Sequence, residues 1–311
     1  MSPIPLNQDR LNTWIDSQLT AALAVSPLEV RRLFHGRSGT LEGYQQVVVD
    51  WLANVAVIRL YKDIEADKLD ALVEFLSVKP EVKGVLIQQR GRQRETKFRI
   101  AYGEVAETLL VEESGLVFQI APLQHQNFGL FLDMRNGRHW LKQQAKNAKV
   151  LNLFAYTCAF SVAAVSGGAK LVVNVDLSKR ALSTGRINHQ LNTHAKSATQ
   201  FMPYDMLKSW SRIKKPGPYD IVVIDPPSFQ PGSFIAQKDY IKVLRRLDEL
   251  TSPKAKVMIC HNDPSQTSEF VRQLMQQACS AFKFQERLAV PQDFAEADAE
   301  KSLKVLIYQK T

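Results

Sequence analysis

Cysteine is scarce in this chain of 311 residues: Cys158, Cys260 and Cys279 are all there is, and no two of them stand as CxxC. That excludes a disulfide framework and argues against a structural zinc site, so no metal is implied. Long apolar runs are missing too. None approaches the roughly 18 residues that cross a bilayer, and residues 1–10 lack the basic and then apolar stretches of a secretory signal. The expectation is a cytoplasmic protein with no membrane partner. No GxGxxG fingerprint, internal repeat or low-complexity tract is present. What is there is ordinary globular material, 45% hydrophobic and 23% charged, enough for a sizeable core. The net charge of +9 decides nothing alone, but residues 1–110 are neutral overall and the excess falls wholly in 111–311.

The first 40 residues read as helical, with Trp14, Leu19 and Leu23 and then Val30, Leu33 and Phe34 near helical spacing, and Pro27 placed to open a second helix. From Tyr44 two β-rich runs meet at a turn near Ala53 and Asn54, and residues 66–76 return to a helical period. Residues 84–103 and 108–123 each read as strand, turn, strand. From Lys149 the alternation becomes regular. KVLNLFAY, KLVVNVDLS, ATQFMPYD, YDIVVIDPP and KAKVMICHN are apolar, β-branched runs separated by segments such as 178–191 and 236–250 that can cross back as helices. This predicts an α/β fold, a doubly wound Rossmann-like sheet. FKFQERLAV and KSLKVLIYQK close it as an antiparallel edge hairpin. The expected division is a helical segment at 1–38, a small α+β domain at 39–123 and the α/β domain at 124–311.

Ligands of open α/β sheets sit beyond the carboxyl ends of the strands. There the chain carries Asn152-Leu-Phe-Ala-Tyr-Thr-Cys158, then Asp176, Asp205 and Asp225-Pro-Pro-Ser-Phe229. Carboxylates at successive strand ends suit ribose hydroxyls and an exocyclic amine, and Asp176 follows Asn152 at close to the spacing of a ribose-binding acid. Without a glycine fingerprint the first turn does not suit a pyrophosphate; a nucleoside bearing a sulfonium needs no such cradle. Pro226 and Pro227 fix φ and remove two backbone donors, so the strand exit is rigid and presents Asp225 with Phe229 to a planar base, by its edge and its π-face.

With NFGLFLDMR (127–135), NLFAYTCAF (152–160), NVDLS (174–178) and DPPSF (225–229), the stretch from Gly39 to Lys310 resembles the class I S-adenosylmethionine-dependent RNA methyltransferases, in particular a bacterial 23S rRNA group with 5-methylcytosine and guanine-N7 members. The resemblance implies S-adenosylmethionine as cofactor and RNA, in the first place 23S rRNA, as partner. It implies a cofactor site in which Phe154, Ala155, Tyr156 and Thr157 line the methionine side, with Asn152 before them. Asp176, with Leu177 and Ser178, would bind the ribose hydroxyls; Asp205 with Met206 the adenine; and Asp225 the methionine amine or the target base. Phe131, Asp133 and Arg135 would reach the cofactor from the connection between domains. Asp225, Pro226 and Phe229 carry the catalytic assignment.

The chain departs from that pattern in three places. Cys158 stands where the family commonly has Gly after Tyr-Thr, and it reads as a small buried filler. Asn127-Phe128-Gly129 replaces Lys-Thr-Gly. A nucleophilic Cys after the fifth strand is missing if KVMICHND (256–263) is aligned so that Asn262 takes its place; Cys260 takes it only if the register slips by two. Methylation of cytosine carbon-5 needs a thiolate, whereas a ring nitrogen already has its lone pair. A ring nitrogen is therefore the expected target. His261 reads as a structural histidine.

For RNA contact, Arg135, Arg138, Lys142, Lys146 and Lys149 would share one helix face, and Arg90, Arg92, Arg94, Lys97 and Arg99 stand against Glu95 alone at a hairpin tip. The alternatives are a methyltransferase for a small molecule or a protein and a non-catalytic cofactor-binding RNA-associated protein. Oligomeric state is open between monomer and homodimer.

Overall fold

The computed structural model describes residues 6–91, 96–124, 126–227, 229–230 and 234–311. It divides the chain into two units. The first holds the residues up to Leu132 together with Pro291–Ala297, and the second holds Asp133–Val290 and Asp298–Thr311.

The first unit begins with α1 (Leu6–Leu23), in which Leu11, Ile15, Leu19 and Ala22 recur at helical spacing and are buried. They pack into the same core as Leu33, Val47, Val49, Ala56, Ile58 and Val85. Residues 6–38 are thus not a segment of their own but fold with the sheet. That sheet has the order β1-β2-β3-β4-β5 and is built from β1 (Arg31–His35), β2 (Val47–Leu52), β3 (Val55–Leu60), β4 (Gly84–Arg90) and β5 (Thr96–Gly103). α2 (Ala66–Ser77) connects the parallel pair β3 and β4. β6 (Leu109–Glu113) and β7 (Leu116–Ile120) form a separate hairpin whose two loop residues, Ser114 and Gly115, both have positive φ, the turn that matches strand twist.

The second helix expected after Pro27 is not formed. Val30, Leu33 and Phe34 fit an i, i+3, i+4 pattern, but residues 31–35 pair with β2 and are buried on both faces. Strand pairing outweighs a weak local period here.

Among the described residues the second unit carries a seven-stranded sheet of β8 (Lys149–Leu153), β9 (Leu171–Val175), β10 (Thr199–Met202), β11 (Tyr219–Ile224) and, after the separate short pair β12 (Phe229–Gln230) and β13 (Phe234–Ile235), β14 (Thr251–His261), β15 (Phe282–Leu288) and β16 (Lys304–Lys310). Their order is β10-β9-β8-β11-β14-β16-β15, with the first five parallel and β16 antiparallel to both its neighbours, β14 and β15. Chain order reverses between β8 and β11, and that switch point opens a crevice at the strands' carboxyl ends.

Both sheet faces are covered. Residues 151, 153, 222, 224, 257 and 259 pack with α7 (Ala236–Leu244), α8 (Leu247–Leu250) and α9 (Ser268–Ala278), while the alternate residues 150, 221, 223 and 258 pack with α3 (Arg135–Gln144) and α4 (Ala159–Ser166). α5 (Lys179–Leu191) follows β9, and α6 (Trp210–Lys214) precedes β11. Burial on both faces is why these strands read as continuous apolar runs. The segment expected as one helix over 236–250 is interrupted at Arg245 and Arg246 between α7 and α8.

Candidate cofactor and substrate site

Beyond β8 the backbone takes left-handed conformations at alternate residues: Phe154 at φ 59°, Tyr156 at 48° and Cys158 at 64°. Each costs a non-glycine residue about 1–3 kcal/mol, so the surroundings must hold the loop. They do. Ala155 N donates to Val175 O at 3.0 Å, Tyr156 N to Asp176 Oδ2 at 2.8 Å, Cys158 N to Ala155 O at 2.7 Å, and Asn188 Nδ2 to Thr157 O at 2.9 Å. Cys158 is fully buried, and a Cβ on Gly185 would come within 2.4 Å of its Sγ. The side chain where the family favours glycine is therefore a filler, and Gly185 on α5 makes room for it.

Asp176 follows β9 and is clamped from both sides, since Oδ1 accepts Ser178 N and Oδ2 accepts Tyr156 N, each at 2.8 Å. Burial pushes its pKa up and these two N–H bonds pull it back. Burial, with Asp176 beside it, raises Tyr156 to about 12. Asp205 follows β10 and caps a short turn, accepting Leu207 N at 3.0 Å, with Lys208 Nζ 3.5 Å away.

These acids meet in one cavity, lined by Phe154, Asp176, Leu177, Tyr204, Asp205, Met206, Leu207 and Phe234. Phe154 and Phe234 meet edge to face, with centroids 4.8 Å apart. Five of the residues singled out in the sequence are thus brought together. Tyr204, Leu207 and Phe234 were missed; the first two adjoin recognised residues, whereas Phe234 lies in a segment with no strand-end signal. Two carboxylates between aromatic and aliphatic walls can take hydroxyls and a flat ring, and nothing here resembles a glycine-rich phosphate cradle. The residues fit S-adenosylmethionine.

Asp225, half-buried after β11, has a different environment. Burial and the Asp133 carboxylate push it up to about 7, against the pull of Arg138. Its carboxyl therefore changes charge near neutrality, the property of a group that binds or accepts from a substrate. Pro226 beside it is buried, as a rigid strand exit requires.

Several assignments need correction. Arg138 is buried on α3 and acts on Asp225, so it is not part of an exposed phosphate stripe. α3 ends at Gln144, leaving exposed Lys146 beyond it and Lys149 in β8, where Lys149 Nζ donates to Pro216 O at 3.2 Å. Of the five cations only Arg135 and half-buried Lys142 remain as helix-face candidates. Asn152 does not line the cavity. It is buried in β8, its Nδ2 donating to Asn174 Oδ1 at 2.9 Å, and Asn174 in turn donates to Ser161 Oγ at 3.0 Å. Ala155 and Thr157 are buried and hold the loop's shape, and Ser178 caps α5 by accepting Ala181 N at 3.1 Å. Phe131 is exposed in the first unit, whereas Asp133 and Arg135 belong to the second. Arg92, Arg94 and the side chain of Phe229 lie outside the described residues.

Cys260 is fully buried inside β14, where burial and then Asp225 and Asp133 raise its thiol far above the ordinary range. It is no thiolate. His261 is buried against Phe270 and Tyr240.

A family model described as S-adenosylmethionine-dependent methyltransferase matches residues 31–309. The chain belongs to this methyltransferase family. S-adenosylmethionine is its cofactor. The methyltransferase is 32% identical over 232 residues to the "Ribosomal RNA large subunit methyltransferase K/L" of Pseudoalteromonas translucida, covering 70% of this chain and 32% of that one. It is 35% identical over 202 residues to the protein of the same name from Shewanella amazonensis, covering 63% and 28%. The chain thus spans about a third of the length of the curated relatives it matches. In structure the methyltransferase is similar to a Streptococcus mutans S-adenosylmethionine-dependent methyltransferase, at TM-score 0.84 and 26% identity, covering 99% of this chain and 83% of that one. A methyltransferase structure complexed with SAH gives TM-score 0.85 with the same identity and coverage. Among the described residues no helix is long and apolar enough to cross a membrane.

Proposed function

We propose that this methyltransferase modifies a base of large-subunit ribosomal RNA, 23S rRNA in the first place, at a ring nitrogen, and that it works in the cytoplasm. The RNA class follows the printed names of its relatives. The choice of atom rests on one observation: Cys158, Cys260 and Cys279 are all buried, and burial raises each thiol. Carbon-5 of a pyrimidine becomes nucleophilic only after a thiolate adds to the ring, and a nitrogen lone pair needs no such help.

When bound, S-adenosylmethionine supplies an electrophilic methyl group on a sulfonium. Phe154 and Tyr156 would hold its methionine side, Asp176 the ribose hydroxyls, and Asp205 with Met206 the adenine. Asp225 would accept from the edge of a base drawn out of its stack, and Phe229 would offer that base a ring face. Burial first and Asp133 second raise the Asp225 carboxyl, Arg138 opposes them, and the prolines at 226 and 227 keep the strand exit rigid. The chain's part is alignment and exclusion of water.

The test is transfer of labelled methyl from S-adenosylmethionine to protein-free large-subunit rRNA, by wild type and Cys260→Ala alike. Equal labelling of RNA is expected. Complete loss in Cys260→Ala, with cofactor binding intact, would restore a thiolate mechanism; label in ribosomal protein but not in RNA when intact large subunits replace the free RNA would overturn the substrate class.

A further inference from the structure

The first unit contains a basic cluster that the cofactor site does not use. Arg37 follows β1, Arg59 lies in β3, Tyr61 follows it, and Arg90 ends β4, the strand that runs parallel beside β3. The Arg37 and Arg90 guanidinium carbons lie 4.5 and 4.4 Å from the Tyr61 ring centroid, and that of Arg59 lies 4.4 Å from the Phe128 centroid. The carboxylate beside Arg59 is already engaged. Asp50, fully buried, accepts Arg32 Nε at 2.9 Å and lies 3.1 Å from Arg59 Nη2.

Among the described residues neither Arg37 nor Arg90 forms an ion pair, and the Nε atoms of Arg59 and Arg90 are buried with no hydrogen-bond partner. A buried donor on a cation is costly when left unpaired, so two guanidinium groups on the Tyr61 ring, with Arg59 close by on Phe128, are incomplete without an anion. The electrostatics agree. Burial and then the neighbouring Arg59, Arg37 and Arg32 lower the Arg90 pKa, opposed by Tyr61; against the upward push of burial, Arg90, Arg59, Arg37 and Arg32 together pull the Tyr61 hydroxyl below its usual range. Burial with Arg32 and Arg37 drives His35 down to about 3.

Planar guanidinium forks match phosphate oxygens two at a time, and weak hydration lets arginine serve in a half-buried place where lysine would not. We propose that Arg37 and Arg90, stacked on Tyr61, and the neighbouring Arg59 form a binding site for a backbone phosphodiester of the RNA, a contact that rests on the RNA substrate proposed above. It anchors the strand on the first unit and reads no base.

The experiment compares the full wild-type chain with Arg37→Gln/Arg90→Gln, leaving Arg59 in place because Asp50 depends on it. Affinity for a short single-stranded RNA of mixed sequence is measured across a salt series, and SAH affinity by calorimetry. Loss of one phosphate contact should flatten the plot of log affinity against log salt by about 0.7 and weaken binding several-fold at low salt, with SAH affinity unchanged. If wild type binds RNA with a salt-dependent affinity and the variant has the same slope, this site is wrong and the RNA reading stands. If wild type has no salt-dependent RNA affinity, the RNA reading fails and takes the site with it. Arg37→Gln alone, at an exposed side chain, carries the same comparison should the double variant lose SAH binding.

Discussion

Asp225→Asn is the substitution whose effect can be worked furthest. The carboxyl is raised from 3.8 to about 7, by burial first and Asp133 second. In the unfolded chain it returns to its ordinary value, so between these limits the folded state binds more protons than the unfolded one. Stability must then fall as pH rises through the window, and below about 4 the penalty is absent. Three pKa units at about 1.36 kcal/mol each set the size on the order of 4 kcal/mol. Asn keeps the shape and cannot ionise. Cofactor-free wild type and Asp225→Asn are unfolded by guanidinium at about pH 5 and about pH 8, one inside the window and one above the folded-state value. The variant's advantage should grow by a few kcal/mol towards the higher pH, about 2–4 °C in Tm for each kcal/mol in a unit of this size. Other titrating groups cancel in the difference. Asp133→Asn should reproduce part of the gain, because its charge is the second cause. Parallel loss of stability by wild type and Asp225→Asn would refute the reasoning.

Asp176→Ala should weaken SAH binding at least tenfold by calorimetry, since it removes a cavity carboxylate and also leaves the Tyr156 and Ser178 N–H groups to find new partners; unchanged affinity would sink the cofactor assignment. Gly185→Ala puts a methyl against Cys158 Sγ and should cost about 1–3 kcal/mol in denaturant unfolding, with most of it recovered in Gly185→Ala/Cys158→Gly. A double variant no more stable than the single would contradict the pairing.

The α/β sheet was legible because parallel strands buried on both faces leave unbroken apolar runs, and because a strand's carboxyl end is where Asp176, Asp205 and Asp225 become conspicuous. Asn152 was misread for the same reason: it ends a strand in sequence, but its side chain points to the face where Asn174 and Ser161 await it. Periodicity misled twice. Val30, Leu33 and Phe34 mimic a helix turn in what is a paired strand, and the cations from 135 to 149 keep helical spacing after the helix has stopped at Gln144. Arg37, Arg59 and Arg90 were not read as one group, since only the register of β1 to β4 brings residues so far apart in sequence together. The return of Pro291–Ala297 to the first unit likewise depends on contacts such as Arg32 N to Asp293 Oδ2, 3.2 Å, and leaves no local mark.

The central claim is methylation of a ring nitrogen in large-subunit rRNA. Its most direct test is nucleoside mass spectrometry of that RNA from cells with and without the protein. The account predicts one ring-nitrogen-methylated nucleoside lost without the protein and restored by wild type but not by Asp176→Ala; unchanged methylated nucleosides, or loss of 5-methylcytidine, would contradict it.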